Sequence, residues 1–269
     1  MIGDQEIELL LADLLDIHGY DFTHYARASL RRRITRLWTM DRFPSFAELR
    51  YRVRSDPDYL KRFVEGITVN VTEMFRDPLF YKTLRTEVIK TLAAKPFIRI
   101  WHAGCATGEE VYSMAILLKE AQLLPKSLLY ATDLNADVLE TARRGIYPLQ
   151  PMKQYSENYL LSGGTADFSS YYTAQYGHVK FSDELAGRMV FATHNLVSDQ
   201  SFNEFDLIVC RNVLIYFDKV LQERVLKLFD ESLGPLSYLA LGSKETLLFS
   251  GIESKYKQLD REKIWRKFG

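Results

Sequence analysis

Phe97-Ile98-Arg99-Ile100-Trp101-His102-Ala103 runs directly into Gly104-Cys105-Ala106-Thr107-Gly108-Glu109-Glu110. The first seven residues read as a buried strand, and the glycines mark a sharp turn into a helix that carries Val111, Ala115 and Leu118. Strand, glycine turn and helix in immediate succession build an open α/β sheet, whose ligands bind beyond the carboxyl ends of the strands. The G-x-x-x-G spacing is not the G-x-G-x-x-G of dinucleotide binders, and no Lys-Ser/Thr follows as in a P-loop. Two glutamates just after the turn would repel a pyrophosphate and suit the amine and sulfonium end of a cationic ligand. The same glycines would also serve a tight turn that holds no ligand.

The pattern repeats downstream. Leu128–Asp133 predicts a second strand, followed by a helix over Ala136–Arg143 that stops at Gly145. Phe205–Cys210 predicts a later strand, then a helix over Asp218–Leu233 ending at Gly234-Pro235, with Leu236–Gly242 again strand-like. Alternation of this kind predicts an α/β domain with a doubly wound, Rossmann-like parallel sheet over residues 96–269. Tyr155–Asn195 breaks the rhythm. Tyr171-Tyr172, Tyr176–Phe181 and Met189–Phe191 predict a small antiparallel β-subdomain at 168–192. Upstream, residues 1–75 predict an all-α N-terminal domain, and 76–95 a linker with a joining helix.

Hydrophobic residues at 47% and charged residues at 26% of 269 suit a globular chain and argue against extended disorder. No apolar run approaches the roughly 20 residues a membrane span needs, and the acidic, amphipathic start does not resemble a secretory leader. Two cysteines make no disulfide framework, so a reducing, cytoplasmic setting is expected; a monomer is the default. Net charge is +0, but residues 25–54 hold nine arginines against Asp41 and Glu48. This excess points to an acidic partner. On the second predicted helix, Tyr25–Met40, Arg32 and Arg36 point away from the apolar stripe of Ala26, Leu30, Ile34, Leu37 and Trp38, while Arg27, Arg31 and Arg33 flank it.

Three further segments carry chemistry. Asp133, at a strand end, can accept hydrogen bonds from both hydroxyls of a ribose; alternatively it or Asn135 caps the next helix. Cys210–Phe217 follows the strand expected beside the first one, which puts Arg211 and Asn212 over the same crevice, while Tyr216-Phe217 could be plain core. Asn70–Arg76 reads either as a helix start capped by Thr72 or as a segment closing over the crevice. The five histidines show no paired metal-ligand spacing, so no metal is expected.

Taken together, these segments resemble the CheR family of chemotaxis-receptor protein-glutamate O-methyltransferases. The resemblance is carried by Asn70–Arg76, Gly104–Ser113, Ala131–Leu134 with Ala142–Tyr147, Asn195-Leu196 and Cys210–Phe217. It implies S-adenosylmethionine as cofactor, with Asn70, Thr72 and Arg76 on the cofactor or the reacting carboxylate. Ala103 and Glu109 would line its methionine end, Asp133 would hold the ribose, and Asn195 and Leu196 the adenine side. Arg211 and Asn212 would line the crevice, and Tyr216 would face the transferring methyl. The resemblance also implies that Arg27, Arg31, Arg32, Arg33 and Arg36 engage the acidic methylation helices of a receptor.

The chemistry suits these residues, because a sulfonium methyl is already electrophilic and a glutamate of pKa about 4.3 is already ionised at neutral pH. Alignment and partial desolvation then matter more than a general base. Arg76 could orient the carboxylate by a forked hydrogen bond. Tyr216 could stabilise the cation by roughly 0.5–2 kcal/mol. Two departures stand out: Val111 replaces the usual proline, and Leu241–Glu245 varies the usual glycine-serine-glutamate stretch. Members that dock on a receptor-tail pentapeptide carry a longer glycine-rich loop than Ala174–His178, so independence from that tether is expected. A non-catalytic CheR-like signalling module, a nucleic-acid methyltransferase and an NAD dehydrogenase are the other readings. Retained Arg76, Asp133, Arg211 and Tyr216 weigh against the first, the confined basic patch and neutral chain against the second, and the turn spacing against the third.

Overall fold

In the computed structural model, which describes residues 2–68, 72–259 and 261–268, the chain forms two compact units. One comprises Met1–Asn70 with Leu214–Arg224, the other Val71–Val213 with Val225–Gly269. The second half of the Cys210–Phe217 motif therefore clusters with the helical unit and not with the sheet.

The helical unit contains α1 (Asp4–His18), α2 (Arg27–Met40), α3 (Phe46–Ser55) and α4 (Pro57–Ile67). Gly19, left-handed at φ 75°, ends α1, a conformation glycine takes without steric cost. Ser45 caps α3 by accepting the Glu48 N–H, and Asp56 caps α4 ahead of Pro57. The core is Ile7, Leu10, Leu14, Leu30, Ile34, Leu49, Val53, Phe63 and Ile67. Of the α1 leucines, Leu9 and Leu15 face outward with Ile17. Tyr25 and Phe217 form a β-bridge and an edge-on ring contact at 5.0 Å, and Ala26 N–H donates to the Tyr216 carbonyl at 2.8 Å.

In the other unit, α5 (Pro78–Thr83), a π-helical turn (Leu84–Val88) and α6 (Ile89–Leu92) precede the sheet. Next come β1 (Ile98–Ala103), α7 (Glu109–Glu120), β2 (Ser127–Asp133), α8 (Ala136–Arg144), β3 (Ile146–Pro148) and α9 (Met152–Leu161). They are followed by β4 (Tyr172–Gln175), β5 (His178–Phe181), α10 (Asp183–Ala186), β6 (Met189–Thr193) and β7 (Phe205–Cys210). The last elements are α11 (Lys219–Ser232), β8 (Leu233–Leu241), β9 (Tyr256–Leu259) and β10 (Ile264–Lys267). The main sheet has the order β6-β2-β1-β7-β8-β10-β9, parallel through β8 and closed by an antiparallel hairpin the sequence did not signal.

Two expectations change. Met189–Phe191 does not belong to the small β-subdomain. It lies in β6, which runs parallel to β2 with Leu129 opposite Met189 and Asp133 opposite Thr193. The whole stretch from α8 to α10 is thus one long crossover, and its exit strand completes the wound half of the main sheet. The small sheet instead recruits β3, in the order β3-β5-β4. Secondly, Gly234-Pro235 does not separate helix from strand: β8 already begins at Leu233, with an irregularity opposite Phe205–Leu207.

Candidate active site

The backbone at the end of β1 dictates the glycine turn. Gly104 and Cys105 N–H both donate to the Thr132 carbonyl on β2, at 2.8 and 2.9 Å. Gly104 adopts φ 75°, and a β-carbon there would come within 2.5 Å of Val213 Cγ2. Gly108, at φ 92° and at the N-cap of α7, would put a β-carbon 2.7 Å from that of Ala142. Any side chain at either position would strain the backbone and collide with a neighbour.

Asp133 binds this turn. One carboxylate oxygen accepts the Ala106 N–H at 2.9 Å and the other the Asn135 N–H at 3.0 Å. Burial pushes its pKa up, against the pull of those N–H groups. It does not cap α8; Asn135 does, accepting the Asp137 N–H at 2.9 Å. His194 N–H reaches the Asp133 carbonyl at 3.2 Å. Asn195 and Leu196 therefore follow β6 next to Asp133, at the same carboxyl edge as Ala103. Asn195 fixes its own loop, its side chain accepting the Val197 N–H and its N–H donating to Asp199.

Glu109 is only 8% exposed at the first turn of α7. Thr107 Oγ1 donates to Oε2 at 2.6 Å. Burial pushes the carboxyl up to about 7, and the Thr107 hydroxyl offsets part of this. A buried acid on the verge of ionisation, three residues from the Ala106 N–H that Asp133 accepts, suits a ligand that brings its own positive charge.

Arg211 behaves differently from expectation. Its side chain is 2% exposed, lies 4.1 Å over the Phe80 ring, and donates to Asp77 at 2.5 Å and Glu110 at 3.1 Å. Glu110 also faces His102 Nδ1 at 3.1 Å. Burial alone would raise the Glu110 pKa, but His102 and Arg211 outweigh it and hold the carboxyl low. Both terminal nitrogens of the guanidinium are thus held by Glu110 and the half-exposed Asp77, while its buried Nε has no hydrogen-bond partner among the described residues. Asn212 follows at φ 62°. Its N–H and that of Val213 donate to Glu245 at 3.0 and 2.9 Å, and the Gly242 N–H donates to the same carboxylate. The sequence does not single out Asp77, and it shows Glu110 only as one of the two glutamates after the turn, not as the partner of His102 and Arg211. For Glu245 the signal was there, in the glutamate that ends the Leu241–Glu245 stretch.

Asn70 lies outside the described residues. Thr72 is not a helix cap: the chain stays non-helical until Pro78, because Phe75 and Asp77 take φ 51° and 58° and interrupt any helix. Met74 and Phe75 are buried, with the Phe75 N–H on Ser113 Oγ at 3.0 Å and the Met74 carbonyl accepting from Asn158 at 3.1 Å. Arg76 is half-buried, and among the described residues its guanidinium forms no hydrogen bond or ion pair.

A glycine turn, a paired acid on β2 and a left-handed Asn212 share one carboxyl edge, and sequence comparison identifies that arrangement. Residues 70–264 match the CheR methyltransferase SAM-binding domain and residues 5–68 the CheR methyltransferase all-alpha domain. The chain belongs to the CheR methyltransferase family. It is 44% identical to the Pseudomonas putida protein Cher3 over 98% of this chain and 97% of that one. It is 32% identical to chemotaxis protein methyltransferase 1 of Vibrio cholerae, covering 86% of this chain and 84% of that one. With chemotaxis protein methyltransferase 2 of Pseudomonas aeruginosa the identity is 33%, over 83% and 78%. Residues 70–264 of this CheR chain are accordingly an S-adenosylmethionine-binding methyltransferase domain. Its donor set, with Asp133 and Glu109 beside a glycine turn, fits a cationic adenosyl ligand. Among the described residues no cluster of His, Cys, Asp or Glu could hold a metal, and no helix is long and apolar enough to cross a membrane. Cys105 and Cys210 are buried free thiols.

In the helical unit the five α2 arginines separate into three kinds. Arg27 and Arg31 pair with Glu8 and Asp4 of α1. Arg33 donates to the Ile67 carbonyl at 2.6 Å and lies 4.6 Å over the Tyr216 ring, where burial lowers its pKa. Arg32 and Arg36 are exposed and form no ion pair among the described residues.

Proposed function

We propose that this CheR chain transfers the methyl group of S-adenosylmethionine to glutamate side chains on the cytoplasmic methylation helices of chemotaxis receptors, leaving glutamate methyl esters and S-adenosylhomocysteine. The carrying observation is the Arg76 guanidinium, which has no hydrogen bond or ion pair among the described residues and lies one residue from the Asp77–Arg211 pair at the end of β7. A cation held there without an internal acid is free for an incoming carboxylate.

S-adenosylmethionine supplies a methyl group activated by its sulfonium charge. Asp133 holds the ribose, Asn195 and Leu196 the adenine side, and Glu109 with Ala103 the methionine amine. Thr72 and Arg76 border the reacting end, with Arg211 and Asn212 completing the wall. Arg76 orients the ionised glutamate, so that a carboxylate oxygen would take the methyl group that bound S-adenosylmethionine would supply, with the electron pair of the broken carbon–sulfur bond left on sulfur. No proton moves, so no general base is required. Tyr216, stacked under Arg33, takes the part the resemblance implies at the methyl group. Arg32 and Arg36 present the charge that meets the acidic receptor helix, with Arg27 and Arg31 able to exchange their α1 partners for receptor acids.

The β4–β5 hairpin turns through Tyr176 and Gly177 alone, at φ 49° and 75°. Two left-handed residues make the tightest hairpin turn, with no longer loop to dock a receptor-tail peptide. This short turn supports methylation that is independent of that tether.

Incubation with labelled S-adenosylmethionine and receptor-containing membranes tests the assignment. Label released by mild base supports a carboxyl ester; base-stable label refutes it. Measurable affinity for the isolated tail pentapeptide would refute the independence.

A further inference from the structure

We infer that Asp77 is a positioning residue for Arg76, acting through Arg211; this rests on the reading of Arg76 given above. Three observations lead to it. Arg76 is flanked by Phe75 at φ 51° and Asp77 at φ 58°, two side-chain-bearing residues in a region L-residues rarely adopt. Such backbone persists only where surrounding contacts over-determine it. On the N-terminal side those contacts are Ser113 on the Phe75 N–H and Asn158 on the Met74 carbonyl.

On the other side the contact is Asp77 itself. It stands at the N-cap of α5, where an aspartate would ordinarily accept a backbone N–H, yet its side chain makes no cap hydrogen bond. The carboxylate turns instead to Arg211, whose guanidinium is fixed by Glu110 and by the Phe80 ring. His102, fully buried, holds Glu110 in turn. A chain from β1 through α7 and the end of β7 thereby ends on the residue after Arg76. Its rigidity sets where the Arg76 backbone sits, while Arg76 keeps its own guanidinium free. Arg211 contributes to the reaction by holding Asp77 rather than by touching the ligand with its side chain.

The test is a double-mutant cycle with Arg76→Ala and Asp77→Asn, read on methyl transfer and on adenosylhomocysteine affinity, with thermal melting as a folding control. Asp77→Asn should lower kcat about tenfold in the wild-type background and cause no further loss once Arg76 is alanine, because residues that act through one another are non-additive. Asp77→Glu, which keeps the charge, should restore most of the rate. Additive losses, or full activity of Asp77→Asn, would overturn the inference. A wild-type protein that methylates no receptor would instead overturn the substrate reading. The cycle is then read on adenosylhomocysteine binding, where Arg76→Ala must weaken affinity and Asp77→Asn must weaken it only while Arg76 is present; any other pattern overturns the inference.

Discussion

Gly104 and Val213 approach so closely that the first carbon of any side chain at 104 would sit 2.5 Å from Val213 Cγ2. This contact ties the glycine turn after β1 to the segment after β7, the two strands that pair in parallel at the centre of the sheet. It predicts that Gly104→Ala costs about 2–4 kcal/mol, combining a left-handed penalty with overpacking. Chemical denaturation should show that loss together with weakened adenosylhomocysteine binding; stability within about 0.5 kcal/mol of wild type would contradict the contact.

Glu109 gives the cofactor site a pH dependence. Burial raises its folded pKa from the usual carboxylate range to about 7. A raised carboxyl favours the folded state fully below its unfolded pKa, and that contribution fades as pH rises towards 7. Binding of a cationic amine reverses the preference by selecting the ionised carboxylate. Adenosylhomocysteine affinity should therefore rise with pH, by up to about tenfold per unit below 7, and level off above it. Calorimetric titration of wild type and Glu109→Gln checks this. A slope that survives in the glutamine variant would assign the titration elsewhere.

Glu245 serves three backbone N–H groups, those of Gly242, Asn212 and Val213. A glutamine retains one acceptor oxygen but turns an amide towards donors. Glu245→Gln should lose about 2–3 kcal/mol of stability, the scale of a charge-assisted hydrogen bond left without its acceptor. Urea denaturation measures it, and hydrogen exchange at Asn212 and Val213 should accelerate along with it.

The α2 arginines should separate by partner. Replacing Arg32 and Arg36 by alanine should weaken receptor methylation, mostly in KM, and leave adenosylhomocysteine affinity unchanged. Arg27→Ala with Arg31→Ala should act less, because those charges are already met by Glu8 and Asp4. Arg33→Ala should lower kcat rather than raise KM, through the loss of its contact with the Tyr216 ring. Equal KM effects at all five positions would show that the internal pairs do not matter.

The sequence by itself determined the helical start and the strand–helix alternation after it, the glycine turn, the strand end at Asp133 and the arginine helix. Each rests on local properties: periodicity, capping and the steric freedom of glycine. Even the outward set of Arg32 and Arg36 follows from helical geometry alone. Pairings between distant residues were decided only by the tertiary structure. Met189–Thr193 has the composition of any short strand, and only the free edge of β2 made it part of the main sheet. Arg211 resembled a crevice residue until Asp77, 134 positions away, was brought against it. Asp77 carried no recognisable signal of role, and Glu245 only that of its place in the Leu241–Glu245 stretch, because a carboxylate's function depends on which N–H groups or cations the fold places around it.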